Sequence, residues 1–365
     1  MYLESLQLLN FKSYEEVNLR FPGRINVLVG KNGSGKTNLL DAIFYLSFTK
    51  SAFSPTDQHL IRHDQPYFMI KGDFRVDDQV HDISTSVQIG SKKMFRDGMQ
   101  DYQKLSDHIG KYPVILVAPD DVDLIREGSE SRRRFFDSLI SQVDHQYLET
   151  LMRYNHLLKQ RNSLLKMAYD AGFVDWVAVE VYDEALSKAG SYIFEKRKAF
   201  ITIFLPVFQH FYQFLTQDNE ATSLTYDTEL HQRDILAGLR DTRQRDLALQ
   251  RTSFGIHRDD FAFSMAGRDI KRLGSQGQQK SFVISLKLAQ YEILKKHKGF
   301  KPVLLLDDIF DKLDDLRISR LLSLIKTDLG QLFMTDARPG RTRKLLDQIQ
   351  VESDIFVIEN GKVAR

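Results

Sequence analysis

The chain has 365 residues, 42% hydrophobic and 27% charged, enough to bury a large core and to divide into more than one lobe. It contains no cysteine, which excludes disulfides and thiolate metal sites and leaves oxygen or histidine ligands for any metal. A formal charge of +2 does not argue for a nucleic-acid partner, which would need a local basic surface.

Glu4 leaves no long apolar leader, and no stretch approaches the ~18 uninterrupted apolar residues of a membrane span. The chain is therefore expected in the cytoplasm and off the membrane. Leu6, Leu8, Val17, Leu19 and Phe21 alternate with polar residues, which predicts strands. The apolar run Ile25, Val27, Leu28 and Val29 follows, and residues 30 to 37 then read Gly-Lys-Asn-Gly-Ser-Gly-Lys-Thr. This is a phosphate-binding P-loop pattern. Gly30 and Gly35 let the backbone curl so that its N–H groups face a β-phosphate, Lys36 adds a point charge, and Thr37 offers a hydroxyl to Mg²⁺. Leu39, Leu40, Ile43 and Phe44 continue as a helical stripe, so the loop joins strand to helix, a setting that a merely Gly-rich turn would not need. The candidate ATP-binding residues here are Gly30, Lys31, Asn32, Gly33, Ser34, Gly35, Lys36, Thr37 and Asn38.

Alternation resumes at Phe68, Ile70, Phe74, Val76, Ile83, Val87 and Ile89, and Asp97-Gly98 reads as a hairpin turn. From about Ser131 to Leu215 the period lengthens. Tyr147, Leu151, Tyr154 and Leu158, with Leu148 and Met152, recur at helical spacing, and Pro is absent between Pro119 and Pro206. Strand-like alternation returns at Phe261, Phe263 and Met265.

Gly274-Ser275-Gln276-Gly277-Gln278-Gln279 then precedes a helix carrying Phe282, Leu286, Ala289 and Ile293. A hydroxyl, free N–H groups and the positive end of a helix dipole make an anion site. One triphosphate does not need two such elements from one subunit. The expectation is a sandwich in which Ser275, Gly277 and Gln278 meet the γ-phosphate held by the P-loop of a second copy; the plain alternative is an ordinary helix cap. Val303 to Leu306 predicts a buried parallel strand ending in Asp307 and Asp308, where ligands of open α/β sheets sit. Asp307 is the candidate Mg²⁺ ligand with Thr37, and Asp308 would position or deprotonate the attacking water. Two acidic residues capping a surface strand is the plain alternative. Leu313-Asp314 follows, and the strand from Leu332 to Met334 ends at Thr335, whose hydroxyl would touch the γ-phosphate or the water. The candidate catalytic residues are Lys36, Ser275 and Asp308.

This ordered set resembles the ATP-binding cassette superfamily: Walker A at Gly30 to Thr37, signature at Ser275 to Gln278, Walker B at Val303 to Asp308, D-loop at Leu313-Asp314, and a switch strand ending at Thr335. Leu8-Leu9-Asn10-Phe11-Lys12-Ser13-Tyr14 and Lys36-Thr37-Asn38-Leu39-Leu40-Asp41-Ala42-Ile43 are similar to chromosome-maintenance and repair ATPases, which adds Lys12 to the candidate nucleotide contacts. Four further blocks resemble the RecF family of DNA replication and repair ATPases. They are Pro119-Asp120-Asp121 with Gly128 and Ser131 to Asp137, then Leu158 to Asn162, Gly255 to Asp260, and Leu305 to Asp308 with Asp314. The chain departs from that pattern at Ile256, where Pro is usual, and at Lys312, where Glu is usual; no glutamine lies in Val114 to Ala118, so no Q-loop residue is carried over. Asp308 stands where most cassette ATPases have Glu, and the shorter carboxylate accords with slow hydrolysis.

The resemblance implies an α/β cassette-type head, a mixed sheet around the P-loop helix at residues 1–118 and 225–365, split by a largely helical lobe at 119–224 with no long coiled coil. It also implies a weak, DNA-stimulated ATPase that dimerises on ATP, binds gapped single- and double-stranded DNA, associates with the nucleoid, and helps to load RecA together with RecO and RecR. Arg132, Arg133, Arg134, Lys159, Arg161, Lys196, Arg197 and Lys198 are the candidate DNA contacts, with solvated faces or internal ion pairs as the alternative for each. Another cassette ATPase, transporter-like or a chromosome-maintenance head, is the competing reading. The separation of Lys36 from Asp307 argues against the first, and the lack of sustained heptads against the second.

Overall fold

The computed structural model describes residues 1–217, 220–309, 315–327, 329–338, 340 and 352–364. The expected D-loop at Leu313-Asp314 and the departure at Lys312 lie outside the described residues. The chain forms two compact units, Met1–Asp121 with Phe211–Gln217 and Lys280–Arg365, and Val122–His210 with Asp218–Gln279.

Among the described residues the first unit contains two sheets. One runs in the order Lys362–Ala364, Asp354–Glu359, Ile25–Val29, Leu332–Asp336, Val303–Leu306, Val114–Val117, with every pairing parallel except the first. Ile25–Val29, Val303–Leu306 and Val114–Val117 are buried throughout, as strands covered on both faces must be. The other sheet is antiparallel, ordered Tyr14–Arg20, Tyr2–Phe11, Tyr67–Val76, Gln79–Gln88, Met94–Asp97, Gln100–Asp101. Its register sets Leu8 opposite both Val17 and Ile70, so the alternating apolar residues share one face. The turn expected at Asp97-Gly98 is present: Asp97 pairs with Gln100, and Gly98 has φ 61°. The helix Lys36–Phe48 touches strands of both sheets. Leu39, Leu40, Ile43 and Leu46 share one core with Leu6, Leu28, Phe68, Ile70 and Phe333.

The second unit is mostly helical, with Ser129–Val143, His145–Ala171 and most of Trp176–Thr216 as its long helices. Asp144 caps the second by accepting from Tyr147 N–H at 3.0 Å, and Gly172 ends it at φ 68°. The helix Trp176–Thr216 is long and apolar enough to cross a membrane by length and composition alone. It buries Leu186, Ile193, Phe204 and Phe208 inside the molecule, which is how a core helix passes the same test.

The second unit extends further along the chain than the expected helical lobe, to Gln279 instead of residue 224. The cause is a small sheet, ordered Arg268–Asp269, Asp260–Met265, Thr222–Asp227, whose strands cannot be assigned to different lobes without breaking their ladder. Phe261 of this sheet packs on Phe136 of the first long helix, with ring centroids 4.2 Å apart.

Candidate functional site

The loop after Ile25–Val29 is tight at both ends. A Cβ on Gly30 would run into the Ile358 carbonyl oxygen and lie 2.7 Å from Ser34 Oγ. Gly35 has φ 112°, and a Cβ there would lie 2.8 Å from Ser13 Oγ and 3.1 Å from Tyr14 Oη. Glycine is therefore required at both positions. Lys36 folds its ammonium back onto the loop, donating to the carbonyls of Gly30 at 2.7 Å and Lys31 at 3.0 Å. Burial lowers its pKa, while Asp308, Asp307 and Asp336 pull it back up.

The strand ends meet this loop where the sequence places the two carboxylates. Thr37 Oγ1 donates to Asp307, lying 3.1 Å from Oδ1 and 3.0 Å from Oδ2, and Thr335 Oγ1 donates to Asp307 Oδ1 at 2.8 Å. The same Thr335 hydroxyl accepts the backbone N–H of Asp308 at 2.8 Å, and Asp308 sits in the left-handed region at φ 47°. Burial raises the pKa of Asp307, opposed by the two threonine hydroxyls and Lys36. Asn32, Gly33, Gly35, Lys36, Thr37, Asn38, Asp307, Asp308 and Thr335 line one open cleft of about 260 Å³. Thr37 and Asp307 fit a Mg²⁺ ion: both present hard oxygens, and neighbouring ligands in an octahedron with bonds of about 2.0–2.1 Å lie about 3 Å apart.

Other candidates are held differently. Lys12 is paired with buried Asp41 at 2.6 Å, so its ammonium is held against the second turn of the P-loop helix. Gly30, Lys31 and Ser34 shape the loop through their backbones: the first two carbonyls hold Lys36, and Ser34 O accepts from Gly361 N–H at 3.1 Å. Sequence reasoning missed the chemistry of Ser13 and Tyr14. Tyr14 Oη donates to the Gly35 carbonyl at 2.9 Å, and Ser13 Oγ accepts from Asn38 at 2.9 Å. Their adjacency to Lys12 in the Leu8 to Tyr14 block was the available signal.

Ser275, Gly277 and Gln278 belong to the second unit. Ser275 Oγ accepts Gln278 N–H at 3.2 Å, while Gln278 Oε1 accepts Ser275 N–H at 2.8 Å, a reciprocal capping box at the start of Gln276–Lys298. The Gln278 amide also donates to Glu220 at 2.8 Å. The plain alternative, a helix cap, is thus realised in this chain, and exposed Ser275 stands at the positive end of a 23-residue helix.

Several expected DNA contacts are instead interior cations. Arg161 is fully buried and pairs with Asp183 at 2.6 Å and Asp246 at 2.8 Å; Arg197, also buried, pairs with Asp137 at 2.8 Å and Asp259 at 3.3 Å. Arg132 makes a two-pronged pair with Asp260 at 2.8 Å, and Arg133 donates to the Asp259 carbonyl at 2.5 Å. Arg132, Arg133 and Arg197 tie the helices to the Gly255 to Asp260 segment, Arg161 ties its own helix to Asp183 and Asp246, and the fully buried Arg161 and Arg197 are not available to phosphates. His257 completes that framework, bonded to Tyr154 at 2.9 Å and Thr252 O at 3.1 Å, with burial pushing its pKa down to about 4. Ile256, the departure from Pro, is buried and gives its carbonyl to Arg197 at 2.8 Å. Lys196 pairs with Asp144 at 2.6 Å and Arg134 with Glu130 at 2.5 Å. Lys159 and Lys198 are exposed.

The family model described as the RecF/RecN/SMC N terminal domain matches residues 2–355. A DNA replication and repair protein RecF from Cytophaga hutchinsonii is 48% identical over 364 residues, covering 100% of this chain and 96% of that one. Its counterpart from Flavobacterium johnsoniae is 43% identical over 357 residues, covering 98% and 99%. A solved structure of the recombination mediator protein RecF-ATP in the RecFOR pathway has a TM-score of 0.90 at 29% identity, covering 100% of this chain and 97% of its own. With the fold of a cassette-type head bearing a largely helical second lobe, the chain belongs to the RecF family of DNA replication and repair proteins.

Proposed function

We propose that this protein is an ATP-dependent DNA-binding protein of recombinational repair and replication-fork maintenance, working in the cytoplasm at the nucleoid. On this reading it is a weak, DNA-stimulated ATPase that closes into a homodimer on ATP, holds gapped DNA, and helps to load RecA with RecO and RecR. The observation that carries the proposal is the convergence of Thr37, Thr335 and Asp307 within 2.8 to 3.1 Å, beside a P-loop whose lysine is held by the carbonyls of Gly30 and Lys31. ATP binding is further supported by the RecF-ATP relative, and the repair pathway by that relative's place in the RecFOR pathway.

Lys36 would leave the Gly30 and Lys31 carbonyls for the β- and γ-phosphates, exchanging neutral acceptors for charged ones. Thr37 and Asp307 would hold Mg²⁺, which when bound neutralises phosphate charge. Asp308 would orient a water for in-line attack on the γ-phosphorus. The new P–O bond forms as the bond to the bridging oxygen breaks, the water proton passes through the carboxylate to solvent, and ADP and phosphate leave. Ser275 of a second copy, at the mouth of its helix, would complete the site on the γ-phosphate.

Sedimentation with ADP, ATP or a slowly hydrolysed analogue, each with and without gapped DNA, tests this reading. The expected result is a monomer with ADP, a dimer with ATP and the analogue, and DNA moving with the dimer. Identical sedimentation with ADP and the analogue would reject the ATP-driven dimer.

A further inference from the structure

Two hairpin turns, one from early in the chain and one from late in it, lie against the P-loop. The first is Lys12-Ser13, closed by the pairing of Phe11 with Tyr14. The second is Asn360-Gly361, closed by the pairing of Glu359 with Lys362; both its residues are left-handed, at φ 49° and 75°, as an Asn-Gly hairpin requires. Val357 pairs in parallel with Val29, so the strand leading to the second turn runs on beside the P-loop.

Both turns bond to P-loop carbonyls. Gly361 N–H donates to the Ser34 carbonyl at 3.1 Å. Buried Tyr14 donates its hydroxyl to the Gly35 carbonyl at 2.9 Å, and that oxygen also accepts Leu39 N–H at 3.2 Å. The turns brace each other as well: a Cβ on Gly361 would run into the Ser13 carbonyl oxygen and lie 3.7 Å from Tyr14 Cα.

In a trans peptide the C=O and N–H point in opposite directions. Holding the Ser34 and Gly35 oxygens toward the two turns therefore aims the N–H groups of Gly35 and Lys36 the other way, and both residues line the cleft. A flip of either peptide plane would set a carbonyl oxygen against an anion where a donor is needed. Glycine at 33 and 35 makes such flips easy, so the orientation depends on what holds the carbonyls.

We propose that Tyr14 and Gly361 are positioning residues for the nucleotide, holding the P-loop from outside so that the Gly35 and Lys36 N–H groups face the β-phosphate. The inference rests on the nucleotide-binding reading above and deepens it.

The test is isothermal titration calorimetry of the full chain with ATP and with ADP, each with Mg²⁺, for the parent, Tyr14→Phe, Gly361→Ala and Gly98→Ala. Gly98 is the control. It also sits in a two-residue hairpin turn, at φ 61°, but a Cβ there has open space, so alanine strains the backbone without touching the P-loop. Gly361→Ala should weaken ATP and ADP alike by at least about tenfold, the factor lost when the binding conformation is populated about a tenth of the time. Tyr14→Phe keeps the ring and removes one donor, and should weaken both nucleotides about three- to tenfold, the range of one hydrogen bond. Gly98→Ala should stay within about twofold of the parent for both, as a distant site does. Thermal unfolding without nucleotide shows which variants are folded, and a merely structural role would lower the melting temperature and leave the affinities unchanged. Tyr14→Phe, which preserves the packing, decides the matter should Gly361→Ala fail to fold. Parental affinities in the folded variants would overturn these roles and leave nucleotide binding standing. So would an equal loss in Gly98→Ala, or a loss confined to ATP, which would place the effect at the γ-phosphate. A parent chain that binds neither nucleotide would overturn the nucleotide-binding reading and the two roles with it.

Discussion

Thr335 donates its hydroxyl hydrogen to Asp307 Oδ1 at 2.8 Å and in return fixes the next residue, accepting the Asp308 N–H at 2.8 Å. One hydroxyl on one strand therefore holds the carboxylate of Asp307 and the backbone of Asp308 at the end of its neighbour. Thr335→Val keeps the side-chain shape and removes both bonds. We expect ATP affinity within about threefold of the parent and turnover at least about tenfold lower, since an orienting contact acts mainly on the transition state. Thr335→Ser should restore most of the turnover, and steady-state kinetics with separate nucleotide titration distinguish the two effects. Turnover unchanged in Thr335→Val would remove Thr335 from this positioning role.

Asp308→Asn should separate binding from chemistry. The amide keeps the size of the side chain but cannot take the water proton, so ATP enters, turnover falls by about 100-fold or more, and the ATP-bound dimer persists. Single-turnover measurement with radiolabelled ATP checks this; hydrolysis at the parental rate would assign the water to another residue.

The meeting of the P-loop with the end of Val303–Leu306 was legible because the two patterns are local. Gly30 to Thr37 and Val303 to Asp308 are short runs, and strand, loop and helix follow from apolar spacing within each. The basic residues were not legible, because what decides their role lies far along the chain. Arg161 finds Asp246 and Arg197 finds Asp259, and no periodicity in the helices announces those partners. The extent of the second unit was hidden for the same reason, since the pairing of Thr222–Asp227 with Asp260–Met265 is non-local. The Ser275 to Gln278 capping box is a local pattern, a serine with glutamine three residues on, and was open to a closer reading.

Arg161→Met should destabilise the second unit by about 3 to 5 kcal/mol, because Asp246 would be left buried without its cation and Asp183 would keep only its 3.3 Å contact with Arg243. Arg134→Ala, which breaks an exposed pair with Glu130, should change stability by less than about 0.5 kcal/mol. Urea unfolding followed by circular dichroism compares them. A loss under about 1 kcal/mol for Arg161→Met would show that the triad does not hold the helices together.

Burial pushes both His108 and His257 down to about 4, below the value of about 6.5 expected in the unfolded chain. Between those limits the unfolded state binds more protons than the folded state, so stability is full above about pH 6.5 and falls as pH drops toward 4. Each histidine adds up to about 1.4 kcal/mol per pH unit to that slope. His257→Gln should therefore unfold less steeply with acid than the parent in urea titrations at several pH values. An unchanged slope would mean that His257 is protonated in the folded protein.

The measurement that bears most directly on the whole account is ATP hydrolysis by a mixture of Lys36→Ala and Ser275→Arg chains. On the proposed reading, Lys36→Ala lacks the ammonium that would face the phosphates and Ser275→Arg would place a bulky side chain at the dimer seam, so each alone should be close to inactive. A mixed dimer rebuilds one intact site, from the P-loop of the Ser275→Arg chain and the signature of the Lys36→Ala chain. The account predicts that mixing restores a substantial part of the parental rate, on the order of one active site per mixed dimer. No recovery under conditions where mixed dimers are shown to form would contradict it, and would place the complete site within one chain.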